Sequence, residues 1–235
     1  MFTFRKFRIH DDRSAMKVGT DGVLLGAWTQ AGDALDAMDI GAGCGLVALM
    51  LAQRYPGLRI KAVEIDTDAA VQAGENVAAS AFSGQVSVVN ADILDYAPTL
   101  SPESLDLIVS NPPFFQETLL PPDTQRASAR HTLAGLDFEA LVSVSARLLK
   151  KGGGLAVIIP KTSERTFHAL CALHGLSLLH ATDVRTVERK PVRRVLLHFH
   201  KGPSPLVVVR DGLVLMQDGH RSEAYSELCR EFYLH

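Results

Sequence analysis

The chain has 235 residues, 47% of them hydrophobic and 21% charged, and its 24 Lys and Arg against 26 Asp and Glu give a net charge of −2. That is enough apolar material for one substantial core, while a mean hydropathy of +0.11 without an unbroken apolar run of about 18 residues speaks against a membrane span. The weakly acidic balance gives no global sign of nucleic-acid binding, and Cys44, Cys171 and Cys229, far apart and never spaced Cys-x-x-Cys, suggest neither a disulfide framework nor a metal site.

Charge is nevertheless uneven from the first residues. Met1-Phe2-Thr3-Phe4-Arg5-Lys6 lacks the charged-then-apolar order of a signal peptide, so a cytoplasmic protein is expected. Arg5, Lys6, Arg8, Arg13 and Lys17 stand in this segment against Asp11 and Asp12. A helix is predicted over Val23–Thr29. From Ala34 onward, short apolar runs alternate with helical patterns, which is the mark of βαβ units and a parallel sheet. Strands are predicted at Asp36–Ile40, Arg59–Glu64, Val86–Asn90, Leu105–Ser110, Gly154–Pro160, within Leu176–Val187, and at Arg193–His200. Helices are predicted at Leu46–Arg54, Asp68–Ala81 with Asp66 or Thr67 as cap, Phe138–Leu149 and Ser163–His174. No helical pattern separates the last two strands, so they read as an antiparallel hairpin at one end of the sheet. Beyond Pro205, Val207–Leu215 reads as a further hairpin around Asp211-Gly212. The segment from Phe115 to Gly135 lacks periodicity, and a connection of that length at a sheet edge is usually functional.

Chemistry gathers at the strand ends. Asp39-Ile40-Gly41-Ala42-Gly43-Cys44-Gly45-Leu46 joins a strand to a helix, and its glycines allow close backbone approach to a ligand at a helix N-terminus. A dinucleotide fingerprint would require a third glycine where Leu46 stands, so a dehydrogenase is disfavoured. Glu64, some twenty residues further on, closes the second strand and suits the ribose hydroxyls of an adenosine. Asp92 after the third strand suits an adenine amine. The fourth strand leads into Asn111-Pro112-Pro113-Phe114. Asparagine accepts from an exocyclic N–H, the prolines stiffen the turn and leave carbonyls free, and the aromatic ring can stack on a planar group. Alone, Asn-Pro-Pro favours an ordinary turn; with the glycines, Glu64 and Asp92 at successive strand ends of one sheet, the set is much less accidental and points to a site.

On these residues the chain resembles the S-adenosylmethionine-dependent amino methyltransferases with an Asn-Pro-Pro-aromatic motif. Phe4–Ile9, Met16–Trp28, Ala129-Arg130-His131 and Glu231–Leu234 narrow the resemblance to the bacterial tRNA1(Val) (adenine-37-N6)-methyltransferase family. The resemblance implies an α/β fold, a Rossmann-like seven-stranded mixed sheet of the class I methyltransferases with an N-terminal extension. It further implies one domain over residues 1–235, with 1–30 as a cap over the cofactor. S-adenosyl-L-methionine would be held by Lys17, Thr20, Asp39, Gly41, Gly43, Gly45, Glu64, Asp92 and Asn111. Lys17 to Asp21 would close over its methionine end, and Asn111, Pro112, Pro113 and Phe114 would hold the target base. Phe114 replaces the tyrosine of many relatives, which keeps stacking and removes a hydroxyl.

The expected reaction is methyl transfer to N6 of adenine 37 in a tRNA anticodon loop, a base that must be unstacked to reach the pocket. Phe115, Arg130 and His131 would touch RNA near the site, and Arg189, Lys190 and Arg193 would track phosphates. No obligate protein partner and no membrane contact are expected. Other planar amines, in release-factor glutamine, DNA adenine or ribosomal guanine N2, suit the same motif, and a catalytically silent RNA-binding module of the same fold is a further alternative.

Overall fold

A computed structural model describes residues 1–14, 16–112, 136–203 and 207–234. After a short antiparallel pair, β1 (Phe2–Thr3) and β2 (Arg8–Ile9), the main sheet is built from β3 (Asp36–Ile40), β4 (Arg59–Glu64), β5 (Val86–Asn90), β6 (Leu105–Ser110), β7 (Leu149–Pro160), β8 (Leu176–Arg185), β9 (Arg194–Lys201) and β10 (Val209–Val214), in the order β10-β8-β9-β7-β6-β3-β4-β5. All seven expected strands are present, and β10 adds an eighth. The neighbours from β7 through β6, β3 and β4 to β5 are parallel, and β9 lies antiparallel between β7 and β8. Parallel strands buried on both faces call for continuous apolar runs, and Leu105–Ser110 is of that kind.

One expectation is corrected here. Val207–Leu215 is not a hairpin, because β10 continues through Asp211 and Gly212 as an edge strand parallel to β8, with Asp211 opposite Thr182. A tight two-residue hairpin of the Asp-Gly type needs positive φ at both central residues, and neither residue has it. The Asp211 carboxylate instead accepts from Thr182 and bonds His180 across the strands. The hairpin β8–β9 is therefore one strand in from the edge.

Helices cover both faces. On one lie α1 (Thr20–Trp28), α2 (Leu46–Arg54) and α3 (Thr67–Ala78); on the other lie α4 (Ile93–Tyr96), α5 (Phe138–Leu148) and α6 (Glu164–Leu173). A short α7 (Glu223–Leu228) packs near the C-terminus, capped by Ser222. α1 sits close enough to α2 that a Cβ on Gly26 would lie 2.7 Å from the Met50 sulfur. The three cysteines are buried and free, and burial pushes the Cys44 thiol up to about 11. His198 is held in packing against Gly154, and burial pushes its imidazole down to about 4, with His180 and His200 adding to the effect.

The N-terminal arm is pinned along α3, running opposite to it. Asn76 accepts from His10 N (2.9 Å) and donates to the carbonyls of His10 and Cys44, while Gln72 accepts from Arg13 N and donates to Asp12. Phe4, Phe7 and Ile9 drop into the core beneath. The arm begins beside Phe232 and ends over the glycine turn, where Ser14 lies 3.4 Å from the position of a Cβ on Gly43.

Candidate active site

β3, β4 and β6 are parallel neighbours, so Ile40, Glu64 and Ser110 end at one edge of the sheet, the edge where ligands bind in open α/β folds. The chain leaves β3 through Gly41, Gly43 and Gly45, with φ of 74°, 54° and 84°. These are left-handed conformations that cost other residues energy. The turn is tied down by Gly41 N and Ala42 N, both donating to Val63 O.

Glu64 organises the next layer. It is 8% exposed; one carboxylate oxygen accepts from Gly43 N at 2.7 Å and the other from Asp66 N at 2.9 Å. Asp66 in turn caps α3 through Ala69 N. A carboxylate offers about four lone-pair sites, so two backbone donors leave it able to accept two more bonds. Asp39, 1% exposed, accepts from Ala48 N at the start of α2. Burial pushes its carboxyl up to about 7; the Ala48 N–H opposes this and the Glu64 charge adds to it.

At the end of β6 the Ser110 hydroxyl donates to Ile40 O at 2.8 Å, locking the strand that carries Asn111 to the strand that carries the glycine turn. The Asn111 amide donates to the Met16 sulfur at 3.5 Å. Its carbonyl oxygen Oδ1 is buried and has no hydrogen-bond partner among the described residues. An unsatisfied buried acceptor costs roughly 1–3 kcal/mol.

These groups line one cleft of about 580 Å³, within the range of small-molecule sites. Of the residues expected to bind cofactor, Lys17, Thr20, Asp39, Gly41, Gly43, Glu64 and Asn111 line it. Gly45 and Asp92 do not; Gly45 stands at the N-cap of α2 and Asp92 caps α4 through Leu94 N. The Lys17 ammonium is spent on the carbonyls of Asp11 and Asp12, at 2.7 and 2.9 Å, so it braces the arm. Pro112 is buried. Pro113, Phe114, Phe115, Arg130 and His131 lie outside the described residues. Arg189, Lys190 and Arg193 are exposed in the turn after β8 and are not part of the cleft wall. That turn is at the same edge, since β8 and β7 both run opposite to β9, and Lys161 N after β7 donates to Arg193 O.

Among the lining groups, Ile65 and Arg194 were not anticipated from sequence. Ile65, 61% exposed, presents an apolar face beside Glu64. Asp21 at the start of α1 accepts from Arg194 Nε at 2.7 Å, closing the opposite wall. Only the strand-end position of Ile65 and the charge of Arg194 could have marked them.

The comparisons with known proteins bear on this cleft. A protein of Phocaeicola vulgatus named tRNA1(Val) (adenine(37)-N6)-methyltransferase is 44% identical over 99% of this chain and 97% of its own. The chain belongs to this family. A namesake from Bacteroides thetaiotaomicron is 44% identical over 100% and 97%, and one from Aeromonas hydrophila 43% identical over 99% and 97%. The family model for the methyltransferase small domain matches residues 18–173. Among solved structures, an Agrobacterium tumefaciens protein described as a predicted O-methyltransferase shares the fold with a TM-score of 0.72, at 20% identity over 90% of this chain and 96% of that one. A methyltransferase of Pyrococcus furiosus gives 0.54, at 17% identity over 77% and 81%. Membership makes the protein an S-adenosyl-L-methionine-dependent methyltransferase. The cleft fits that cofactor: a carboxylate with spare acceptor sites, glycines open to close approach, an exposed apolar side chain and an orphaned buried carbonyl stand together.

Proposed function

We propose that this protein transfers a methyl group from S-adenosyl-L-methionine to N6 of adenine 37 in the anticodon loop of tRNA1(Val), as a cytoplasmic RNA-binding enzyme folded as one domain, residues 1–235, with 1–30 capping the cofactor. The tRNA and the position are carried over from the names of relatives aligned over almost the whole chain. The observation that carries the chemistry is the buried Asn111 Oδ1, without a partner among the described residues and fixed to the cofactor turn through Ser110.

The cofactor supplies a methyl group on a sulfonium, from which a neutral thioether can depart. Glu64 accepts from the ribose hydroxyls while Gly43 N and Asp66 N hold its orientation. Gly41 and Gly43 let the backbone approach the ligand, Gly45 lets the chain turn into α2, and Ile65 offers a face to the adenine ring. Asp92, which uses one oxygen to cap α4, keeps the other for the adenine amine. Asp39 stiffens the junction of β3 and α2. Thr20 lies over the methionine end, and Lys17 holds the arm there by binding its carbonyls.

At the acceptor, Asn111 Oδ1 takes one N6–H and the Pro112 carbonyl the other. Both bonds draw the nitrogen lone pair out of conjugation with the ring and toward the methyl group. Pro113 stiffens that turn, and Phe114 stacks on the base for roughly 1–3 kcal/mol. Phe115, Arg130 and His131 contact RNA beside it; Arg189, Lys190 and Arg193 engage phosphates, which position the RNA without reading its sequence. Catalysis is then chiefly near-attack positioning, and the nitrogen loses its proton to water after transfer.

The test is incubation with methyl-labelled cofactor and, separately, total tRNA, ribosomal RNA, DNA and release factor, followed by nucleoside analysis. Label in N6-methyladenosine at position 37 of tRNA1(Val) is the expected result. Label confined to another macromolecule or another atom refutes the substrate.

A further inference from the structure

A groove of about 840 Å³ runs along the outer side of the N-terminal arm, between the arm and α3, and is lined by Arg5, Lys6, Arg8, His10 and Arg13 together with Asn76. The arm alternates as an extended chain should: Phe7, Ile9 and Asp11 turn inward and are buried, while Lys6, Arg8 and His10 turn outward and are exposed. The acids of the segment are already engaged. Asp11 is buried and accepts from Val18 N; Asp12 accepts from Gln72, and hydrogen bonding, led by its backbone contact, holds its carboxyl below the usual range. Glu75 pairs with Arg13 at 2.7 Å. Arg5 is braced by donating to Tyr233 O. A net-acidic protein thus presents Arg5, Lys6, Arg8 and Arg13 against Asp12 and Glu75 along one extended, hydrogen-bonded strip, a local excess of positive charge.

The strip is placed in register with the active site. Arg13 in the groove is one residue from Ser14 in the cleft wall. From there the groove follows α3 from Gln72 to Ala79, about 10 Å of helix, away from Asn111. Outward cations suit phosphates, which need charge within reach and carry no sequence information.

We infer that this groove is a second RNA-binding surface, which holds the sugar-phosphate backbone of the substrate tRNA outside the anticodon loop; the inference rests on the proposed tRNA substrate. The cleft takes the base and the arm takes a neighbouring stretch of backbone, so the arm that caps the cofactor also grips the RNA.

The test uses the full-length protein and the double variant Lys6→Glu/Arg8→Glu, with Lys6→Gln/Arg8→Gln as the milder control; both positions are exposed, and a thermal melt checks the fold. Dissociation constants are measured for an unmodified tRNA1(Val) transcript and for its isolated anticodon stem-loop over a range of salt. For the charge reversal, the constant for whole tRNA is expected to rise at least ~10-fold and the log–log salt slope to fall by about two, with the glutamine variant in between. Lys6 and Arg8 line the groove and not the cofactor cleft, so stem-loop binding and cofactor affinity should stay at the wild-type level. Unchanged tRNA binding and salt slope overturn the inference, as does an equal loss for stem-loop and whole tRNA, and so does a variant that binds tRNA normally but fails to retain an acidic protein held by the wild type. If wild type binds tRNA through the groove yet leaves adenine 37 unmethylated, the functional reading falls and the groove assignment stands.

Discussion

The two flanks of the central strand pair β3–β6 handle their edges differently. Toward β4 and β5, the glycine turn, Glu64, Asp66 and Asn90 are bonded to one another and to backbone, so that donors and acceptors stand in fixed positions before any ligand arrives. Toward β7, β9 and β8, the corresponding turn holds Arg189, Lys190 and Arg193 out in solvent. The contrast matches the roles proposed for the two flanks. A methyl transfer needs reacting atoms held in near-attack geometry, whereas phosphates are drawn by charge that acts over several ångströms and tolerates mobile side chains.

That contrast can be broken most severely at Asn111. Asn111→Ala, at the end of β6 where the two flanks meet, should lower kcat by about 10²–10³-fold while cofactor affinity by calorimetry stays within a few-fold; an unchanged kcat would mean that this asparagine does not act on the chemical step. Glu64→Ala comes next. Each hydrogen bond to a charged acceptor is worth about 1.5–3 kcal/mol, so the cofactor dissociation constant should rise by about 10–100-fold, and a wild-type isotherm removes the ribose assignment. The smallest effect belongs to the other flank: Arg189→Ala with Arg193→Ala should raise KM for tRNA several-fold and flatten its salt dependence by a slope of about two, with kcat at saturating tRNA unaltered. A fall in kcat there would show that the solvent-facing flank also takes part in positioning the reacting base.

Much of the parallel core was legible because its strands are buried on both faces and therefore read as unbroken apolar runs. β10 escaped for the opposite reason. An edge strand half open to solvent carries Arg210, Asp211 and Gly212 in its middle, and Asp-Gly has the local chemistry of a turn until His180 and Thr182 of β8 supply partners for the aspartate. At the cleft, the strand-end positions of Glu64 and Asn111 follow from the same apolar runs. The use of Lys17 does not, because its ammonium binds carbonyls of its own arm. Nor does the fastening of that arm, which depends on Gln72 and Asn76 meeting backbone some 59 to 66 residues away in sequence. Ser110 reads as the last residue of a strand, and only the packing of β6 against β3 reveals it as the clasp between the strand that carries Asn111 and the strand that carries the glycine turn.

The buried carbonyl of Asn111 also sets a polarity for whatever docks against it. Its oxygen has no donor among the described residues, so a group that brings an N–H there removes the cost of an unanswered acceptor. A group that brings an oxygen to the same place sets lone pair against lone pair, and the cost stays.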